Sequence, residues 1–290
     1  EDPFAARDKI PEFKPDVVIL DIEMPKMDGI TFLRKLLPQY PVPVIVISSI
    51  EQNIQNVLKT GAVNFIAKPK NKALMNSFIN EIISKIKIAS IAKGKVNISD
   101  RIIAIGASTG GTDAIADIIK AFPKEMPGIL IVQHMPPMFT KMFAERLNKI
   151  GKFDVKEAQN GDMVEPGKIL VAAGGYHMVL VKKPSGYQVN CYKGKTVSSH
   201  CPSVDVLFDS VAKVAGDKAI GVLLTGMGSD GAKGLLNMRK EGAFTIGQDE
   251  KTSVVYGMPK AAYERGGVDA VLPLDQIPKA IMSLLCDTDK

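Results

Sequence analysis

Over its first ninety residues the chain alternates short apolar runs with amphipathic stretches. This pattern predicts strands at Val17–Leu20, Val44–Ile47 and Asn64–Ile66, and helices at Thr31–Leu37, Ile54–Lys59 and residues 72–90. Strands that alternate with helices are typical of a layered α/β domain with a parallel sheet. We therefore expect residues 1–91 to form one such domain. The polar stretch 92–100 loses the helical period, which indicates a linker.

A second alternation of the same kind follows the linker. It predicts strands at Arg101–Gly106, Ile129–Gln133, Ala219–Leu224, Ala243–Ile246 and Ala270–Leu272, and helices at Asp113–Phe122, Met138–Ile150 and Gly231–Lys240. Two more apolar runs, Met178–Lys182 and Gln188–Tyr192, flank Pro184-Ser185-Gly186, which indicates an antiparallel hairpin. Residues 101–290 are thus expected to form a doubly wound, mainly parallel α/β domain with one hairpin.

Composition narrows the functional classes. With 46% hydrophobic and 23% charged residues in 290, the chain has an ordinary globular composition. No apolar run reaches the roughly 18–20 residues that a membrane span needs, so we expect no membrane insertion and a cytoplasmic location. The formal charge of +6 is spread without an arginine-rich helix, which argues against nucleic-acid binding. Cys191, Cys201 and Cys286 lack CxxC spacing and are expected to be free thiols.

In the first domain, polar side chains follow the predicted strands. Asp21 comes after the first strand, Ser48 and Ser49 after the second, and Lys68-Pro69 after the third. Because open α/β sheets bind ligands at the carboxyl ends of their strands, these groups can converge on one phosphate. The plain alternative is that each residue ends a strand or caps a helix.

Taken together, this segment resembles the receiver domain of two-component response regulators. It carries the D-x-x-M-P-x-x-D-G pattern at Asp21–Gly29, followed by Ser48 and the Lys68-Pro69 pair. The resemblance implies that Asp21 accepts a phosphoryl group from a histidine kinase with the help of Mg²⁺, and that Ser48 and Lys68 serve as switch residues. A receiver begins with a strand that ends in an acidic pair for Mg²⁺, and this chain starts at the following helix. We therefore expect a fragment of a longer protein, or else a degenerate receiver, and leave the Mg²⁺ ligands unassigned.

In the second domain three polar residues follow three separate strands. Ser108 lies in a glycine-rich turn, His134 ends the next strand, and Asp230 lies in a second glycine-rich turn. Such an arrangement fits a serine-histidine-aspartate triad. The serine turn also fits a cradle for a nucleotide phosphate or a plain structural turn, and Asp230 can simply cap the helix that follows it.

The two other histidines carry weaker signals. His177 lies within an apolar run and is expected to be packed in the interior. His200, with Cys191 and Cys201, suggests a metal site, but no third and fourth ligand appear at suitable spacing.

Residues 101–290 resemble the catalytic domain of the chemotaxis protein-glutamate methylesterase/glutaminase family, the CheB family. The resemblance rests on Ile105–Ala114, Val132–Pro136, Pro202–Ser210, Leu224–Gly234 and Tyr256–Ala262. It implies a triad of Ser108, His134 and Asp230 that hydrolyses glutamate γ-methyl esters of chemoreceptors, and glutamine amides in many members, without a cofactor for hydrolysis. It also suggests that the unphosphorylated receiver covers the active site. A basic residue common in the family is replaced here by Cys201.

For the oxyanion hole we expect the backbone N–H of Thr109, assisted by the N–H of Met227, although Met227 can equally fill the core. Two rival functions stay open from sequence alone. One is a nucleotide-binding oxidoreductase, and the other is a non-catalytic interaction module driven by the receiver.

Overall fold

The computed structural model describes residues 3–24, 27–49, 62, 64–69, 71, 74–91 and 100–285. These residues divide into two compact units, one within residues 1–96 and 282–290 and the other within 97–281. The predicted helix Ile54–Lys59, linker residues 92–99 and Cys286 lie outside the described residues. Among the described helices, none has the length and apolar character needed to cross a bilayer.

The smaller unit contains a parallel three-stranded sheet. Strands β1 (Val18–Asp21), β2 (Val44–Ser48) and β3 (Asn64–Ala67) lie in the order β1-β2-β3, with Val18 opposite Val44 and Ile45 opposite Asn64. Helices α1 (Pro3–Phe13), α2 (Gly29–Leu36) and α3 (Met75–Ile91) accompany the sheet. Helix α2 buries Phe32, Leu33 and Leu36 in a cluster with the strand residues Val44 and Val46. The three predicted strands are therefore confirmed to within one residue at each end.

The larger unit is built on a parallel sheet of seven strands in the order β12-β11-β10-β4-β5-β7-β6. Its strands are β4 (Ile102–Ala107), β5 (Gly128–Gln133), β6 (Asp154–Glu157), β7 (Lys168–Val171), β10 (Ala219–Leu223), β11 (Phe244–Gln248) and β12 (Ala270–Leu272). Strands β4, β5 and β10 are buried along their whole length, which explains their unbroken apolar runs. Both β6 and β7 were missed from the sequence.

Six helices belong to the rest of the described chain. They are α4 (Gly111–Ala121), α5 (Phe139–Ile150), α6 (Val204–Ala215), α7 (Ala232–Lys240), α8 (Met258–Glu264) and α9 (Ile277–Leu285). The predicted hairpin is confirmed as β8 (His177–Lys183) and β9 (Gly186–Tyr192), which pair antiparallel as a sheet of their own. Helix α6 buries Leu207, Phe208 and Val211 in an apolar cluster that also contains Leu130 and Leu223 of the central strands.

Strand order decides where the polar residues of this unit meet. Strand β4 lies between β10 and β5, because strands β5 to β7 add to one side of β4 and strands β10 to β12 add to the other. A crevice forms at the carboxyl ends of the strands where a doubly wound sheet reverses direction in this way. Ser108, His134 and the loop 224–231 follow β4, β5 and β10 and therefore share this edge.

Candidate active site

The turn after β4 holds Ser108 by its backbone. The N–H of Ser108 donates to the carbonyl of Thr225 at 3.0 Å, and its carbonyl accepts the N–H of Gly111 at 2.8 Å. Gly226 allows this approach, because a Cβ there would lie 2.8 Å from the Cβ of Ser108. The backbone of Ser108 is thus anchored at the edge of the crevice, and the residue is partly exposed there.

His134 follows β5 and is tied to the β4 turn through its N–H, which donates to the carbonyl of Ala107 at 3.1 Å. Its Nε2 lies 2.8 Å from Oδ2 of Asp230, and its side chain is only 7% exposed. Its Nδ1 is buried and makes no hydrogen bond with any described residue. A histidine with one ring nitrogen hydrogen-bonded to a carboxylate, and with no hydrogen bond at the other, has the arrangement of a general base. The structure thus joins His134 to Asp230 and places Ser108 at the same edge without a hydrogen bond to Nδ1.

Asp230 is 2% exposed and its carboxylate accepts four hydrogen bonds. Oδ2 accepts from His134 and from the N–H of Val204 at 2.8 Å, and Oδ1 accepts from the Ser203 hydroxyl at 2.8 Å and the N–H of Asp205 at 3.0 Å. Asp230 therefore caps the N-terminus of α6. The alternative that it caps the following helix is wrong, because Gly231 stands at the N-cap of α7 without a side-chain hydrogen bond.

Two opposing effects set the pKa of the Asp230 carboxyl. Burial alone would raise the pKa, but the hydrogen bonds from His134, Asp205, Val204 and Ser203 outweigh burial and hold it below its ordinary value. Asp230 is consequently a stable carboxylate at neutral pH, which is what the charge on a protonated His134 requires.

Gln133, the last residue of β5, joins the turn of Ser108 to the chain at His134. Its Nε2 donates to the carbonyl of Ser108 at 2.9 Å and to the carbonyl of His134 at 3.2 Å, and the side chain is buried. A Cβ on Gly111 would collide with the Gln133 amide, so glycine is required there. Nothing in the sequence pattern singled out Gln133, because a polar residue at the end of a buried strand is common.

The two hydrogen bonds of Gln133 form a bridge between Ser108 and His134. Replacing Gln133 by glutamate tests this bridge, because the two side chains have almost the same shape. The carboxylate cannot donate, and it faces two carbonyl oxygens in a buried place, so we expect a loss of about 1–3 kcal/mol in the free energy of unfolding. We also expect roughly tenfold slower hydrolysis, because Ser108 and His134 lose a shared anchor. Denaturant unfolding and steady-state kinetics check the two effects. Wild-type stability in the variant would contradict the role of the bridge.

The two expected oxyanion donors border the site. Met227 is 74% exposed, so the alternative that it fills the core is wrong. Thr109 is exposed as well, and neither its N–H nor that of Met227 donates to a described residue. A Cβ on Gly110 would collide with Val254, so Val254 packs closely against this turn.

His177 is buried as expected, with Nε2 2.9 Å from the carbonyl of Lys195. Within the described part of the chain, His200 is grouped with His134 and Asp230 and not with Cys191 and Cys201, which are free thiols. Burial raises the pKa of the Cys191 thiol to about 11, which makes it a poor metal ligand. His200 instead lies on His134, with ring centroids 3.6 Å apart and planes 6° from parallel.

Potential ligand atoms of His134, His200 and Asp230 lie within 4.8 Å of one another. An imidazole binds a metal through a nitrogen lone pair, in the plane of its ring. Two parallel rings stacked face to face share no such plane, and Asp230 already accepts four hydrogen bonds. This arrangement therefore fits a triad with a stacked neighbour better than a metal centre.

In the smaller unit, Asp21 and Lys68 meet as the strand ends predict. Nζ of Lys68 lies 2.7 Å from Oδ2 of Asp21 and 3.1 Å from Oε2 of Glu23, and hydrogen bonding to Asp21 raises the pKa of Lys68 despite some burial. The Ser49 hydroxyl donates to Glu23 at 3.1 Å, whereas Ser48 is buried. Asp28 caps α2 by accepting the N–H of Thr31 at 3.0 Å.

Mg²⁺ takes about six oxygen ligands, and the Asp21 cluster offers few of them. The two carboxylates that converge here, Asp21 and Glu23, both accept hydrogen bonds from Lys68. Because both carboxylates are hydrogen-bonded to the Lys68 ammonium, they do not form a set of oxygen ligands that fits Mg²⁺.

Comparison with known families defines the class of protein. A model described as CheB methylesterase matches residues 103–281, and the response regulator receiver domain matches residues 1–80. The chain thus combines a receiver with a hydrolase domain, and the first match alone covers more than half of it.

Relatives are similar in sequence to this protein over nearly its whole length. It is 53% identical to protein-glutamate methylesterase/protein-glutamine glutaminase 2 of Syntrophomonas wolfei, over 98% of this chain and 88% of the relative, and 47% identical to the corresponding protein of Syntrophotalea carbinolica, over 99% and 89%. The crystal structure of the Thermotoga maritima CheB methylesterase catalytic domain superposes with a TM-score of 0.62 at 40% identity, over 63% of this chain and 98% of that one. The chain belongs to the CheB methylesterase family, which confirms the resemblance seen in its motifs.

Proposed function

We propose that this protein hydrolyses glutamate γ-methyl esters on chemoreceptors, and that it also deamidates receptor glutamines. The observation that carries the proposal is the buried His134–Asp230 pair at the sheet edge that also presents Ser108. The relatives named protein-glutamate methylesterase/protein-glutamine glutaminase supply the substrate class. Receptors are then one partner, and a histidine kinase is the other through the receiver.

In the proposed reaction, Nδ1 of His134 takes the proton of the Ser108 hydroxyl, and the serine oxygen attacks the ester carbon. Asp230 holds Nε2 and stabilises the imidazolium that forms. The imidazolium gives its proton to the leaving methoxide, so methanol departs and an acyl-serine remains. His134 then deprotonates a water molecule that attacks the acyl carbon, and it returns the proton to the Ser108 oxygen as glutamate is released. With a glutamine substrate the leaving group is ammonia.

The negative oxygen of the tetrahedral intermediate needs donors. The N–H groups of Thr109 and Met227 are available, since neither donates to a described residue. One such donor typically contributes about 10²–10³ in rate. A nucleotide-binding oxidoreductase is disfavoured, because the chain belongs to the CheB methylesterase family.

The test measures methanol release from receptor membranes that carry labelled methyl esters, with ammonia release from unmethylated membranes measured in parallel. We expect methanol from the wild type and none above background from Ser108→Ala. Methanol release that survives in the variant contradicts the proposed mechanism. Ammonia release decides whether the glutaminase part holds.

Regulation is proposed to pass through Asp21, which would accept a phosphoryl group from a phosphohistidine of the kinase. The close Lys68–Asp21 pair supports this role, because an ammonium beside the carboxylate favours added negative charge. The unphosphorylated receiver would restrict access to the hydrolytic domain.

Deleting residues 1–92 tests that restriction. Residues 97–281 contain the seven-stranded sheet and its core, and they form a compact unit. We expect the shortened protein to release methanol several times faster than the intact chain, because access no longer depends on the receiver. Equal rates for the two proteins would contradict the covering role.

A further inference from the structure

His200 lies face to face with His134, the residue placed as the general base. The ring centroids are 3.6 Å apart and the planes differ by 6°. His200 lies in the connection between β9 and α6, far in sequence from His134. An imidazole pair so nearly parallel and so close makes contact over the whole ring face, so His200 covers one side of His134.

A tight turn holds His200 in place. The N–H of Val197 donates to the carbonyl of His200 at 3.0 Å, and the N–H of His200 donates back to Val197 at 2.9 Å. Between them Ser198 and Ser199 both have positive φ, 50° and 67°. Turns with positive φ at both central positions favour glycine and asparagine, so two serines store strain here. Such strain persists where the surrounding structure requires one geometry, often at functional sites.

Further contacts fix the ring itself. Nδ1 of His200 lies 2.7 Å from the carbonyl of Ser198, so Nδ1 carries a proton and donates. The Ser198 hydroxyl donates to Oδ2 of Asp205 at 3.3 Å, and the carbonyl of Cys201 accepts from the N–H of Gly175 at 3.0 Å. The strained turn is thus anchored to α6 and to the segment that precedes β8.

His134 needs such a neighbour. Its hydrogen bond to Asp230 fixes the position of Nε2 but leaves the ring free to tilt about that contact. Tilting would move Nδ1, the atom that must reach the Ser108 hydroxyl, and a misplacement of about 1 Å can cost 10²-fold in rate. We propose that His200 is a positioning residue for the hydrolytic reaction, and that its ring face holds the plane of His134. This inference rests on the proposed function.

Two variants separate the effect of the His200 ring from the effect of its hydrogen bond to Ser198. His200→Phe keeps a ring that can stack and loses the bond to Ser198, while His200→Asn keeps an amide that can donate to Ser198 and loses the ring. We expect kcat for methanol release to fall on the order of 10- to 100-fold in His200→Asn with KM unchanged. We expect His200→Phe to retain at least about a third of the wild-type kcat, because the stack survives.

Thermal unfolding of both variants shows whether either change acts by loss of folding. Wild-type kcat in His200→Asn would overturn the proposal, and so would an inactive, folded His200→Phe, which would indicate a chemical role for the imidazole. The result is distinguishable from failure of the proposed function. If the triad assignment is wrong, methanol release by the wild type does not depend on Ser108. If release depends on Ser108 but His200→Asn has no effect, only the positioning role is contradicted.

Discussion

Replacement of Ser108 by alanine is expected to lower kcat for methyl-ester hydrolysis by roughly 10⁴- to 10⁶-fold while the protein stays folded. Loss of the nucleophile from a triad leaves only the contribution of substrate binding and the oxyanion donors. Folding should survive because the turn is held by backbone hydrogen bonds, from Ser108 to Thr225 and from Gly111 to Ser108, which alanine retains. Kinetics of methanol release and a thermal unfolding curve check both parts.

Ser229→Ala is the matched control for that experiment. Ser229 is exposed and lies next to Asp230 in the same glycine-rich loop, but it has no place in the proposed reaction. We expect its kcat to stay within about twofold of the wild type, as for most exposed substitutions. Equal losses in Ser229→Ala and Ser108→Ala would mean that the effect comes from disturbance of the loops, and the nucleophile assignment would fail.

The edge that carries the candidate site could be predicted from the sequence because parallel strands are buried on both faces. Strands β4, β5 and β10 appear as unbroken apolar runs, and each ends in a polar residue or a glycine-rich turn. That pattern placed Ser108, His134 and Asp230 at strand ends. Their adjacency follows from the order β10-β4-β5, which no local pattern encodes.

The edge strand β6 and its inner neighbour β7 gave much weaker signals. Strand β6 has the sequence DVKE, with a single apolar residue, and β7 is only four residues long and begins at a lysine. Because an edge strand buries less of its surface, its composition approaches that of a loop. Helix α6 was not predicted either, although it left a signal that can be recognised: a serine, Ser203, stands at the N-cap before a helical apolar pattern.

The contacts that complete the site could not be predicted, because they join residues distant in sequence. The carboxylate of Asp230 accepts from Ser203, 27 positions earlier, and His200 stacks on His134 across 66 positions. His200 drew attention only as a metal ligand, since a histidine beside a cysteine suggests that chemistry. Its actual neighbour is an imidazole, and only the folded chain shows it.

Asp230→Asn is expected to lose about 10⁴-fold in kcat and to be destabilised by about 3–5 kcal/mol. The carboxylate offers two acceptor atoms to four donors, the side chains of His134 and Ser203 and the N–H groups of Val204 and Asp205. Asparagine keeps one acceptor and turns an NH₂ group toward two of those donors, so buried groups are left without partners. Chemical denaturation measures the stability change and methanol release measures the activity.

Asp205→Asn is the matched control, because Asp205 is a buried carboxylate close by with the opposite pKa shift. Burial raises the pKa of its carboxyl, since the single N–H of Gly234 and the Ser198 hydroxyl do not compensate fully. An uncharged amide can accept from Gly234 and donate to Ser198. We therefore expect the stability of Asp205→Asn at neutral pH to change by no more than about 1 kcal/mol.

Acid titration separates the two carboxylates further. The pKa of Asp230 is lowered in the folded protein, so its stabilising contribution is complete above the ordinary value of 3.8 and is lost as the pH falls through the folded pKa. Asp230→Asn should lack that loss, so the gap to the wild type should narrow below about pH 4. Asp205 has a raised pKa, so its ionisation opposes folding, and Asp205→Asn should gain relative to the wild type as the pH rises from 3.8 to that raised pKa. If the gap between wild type and Asp230→Asn stays constant down to the acid transition, the carboxylate of Asp230 does not carry the stabilising charge assigned to it.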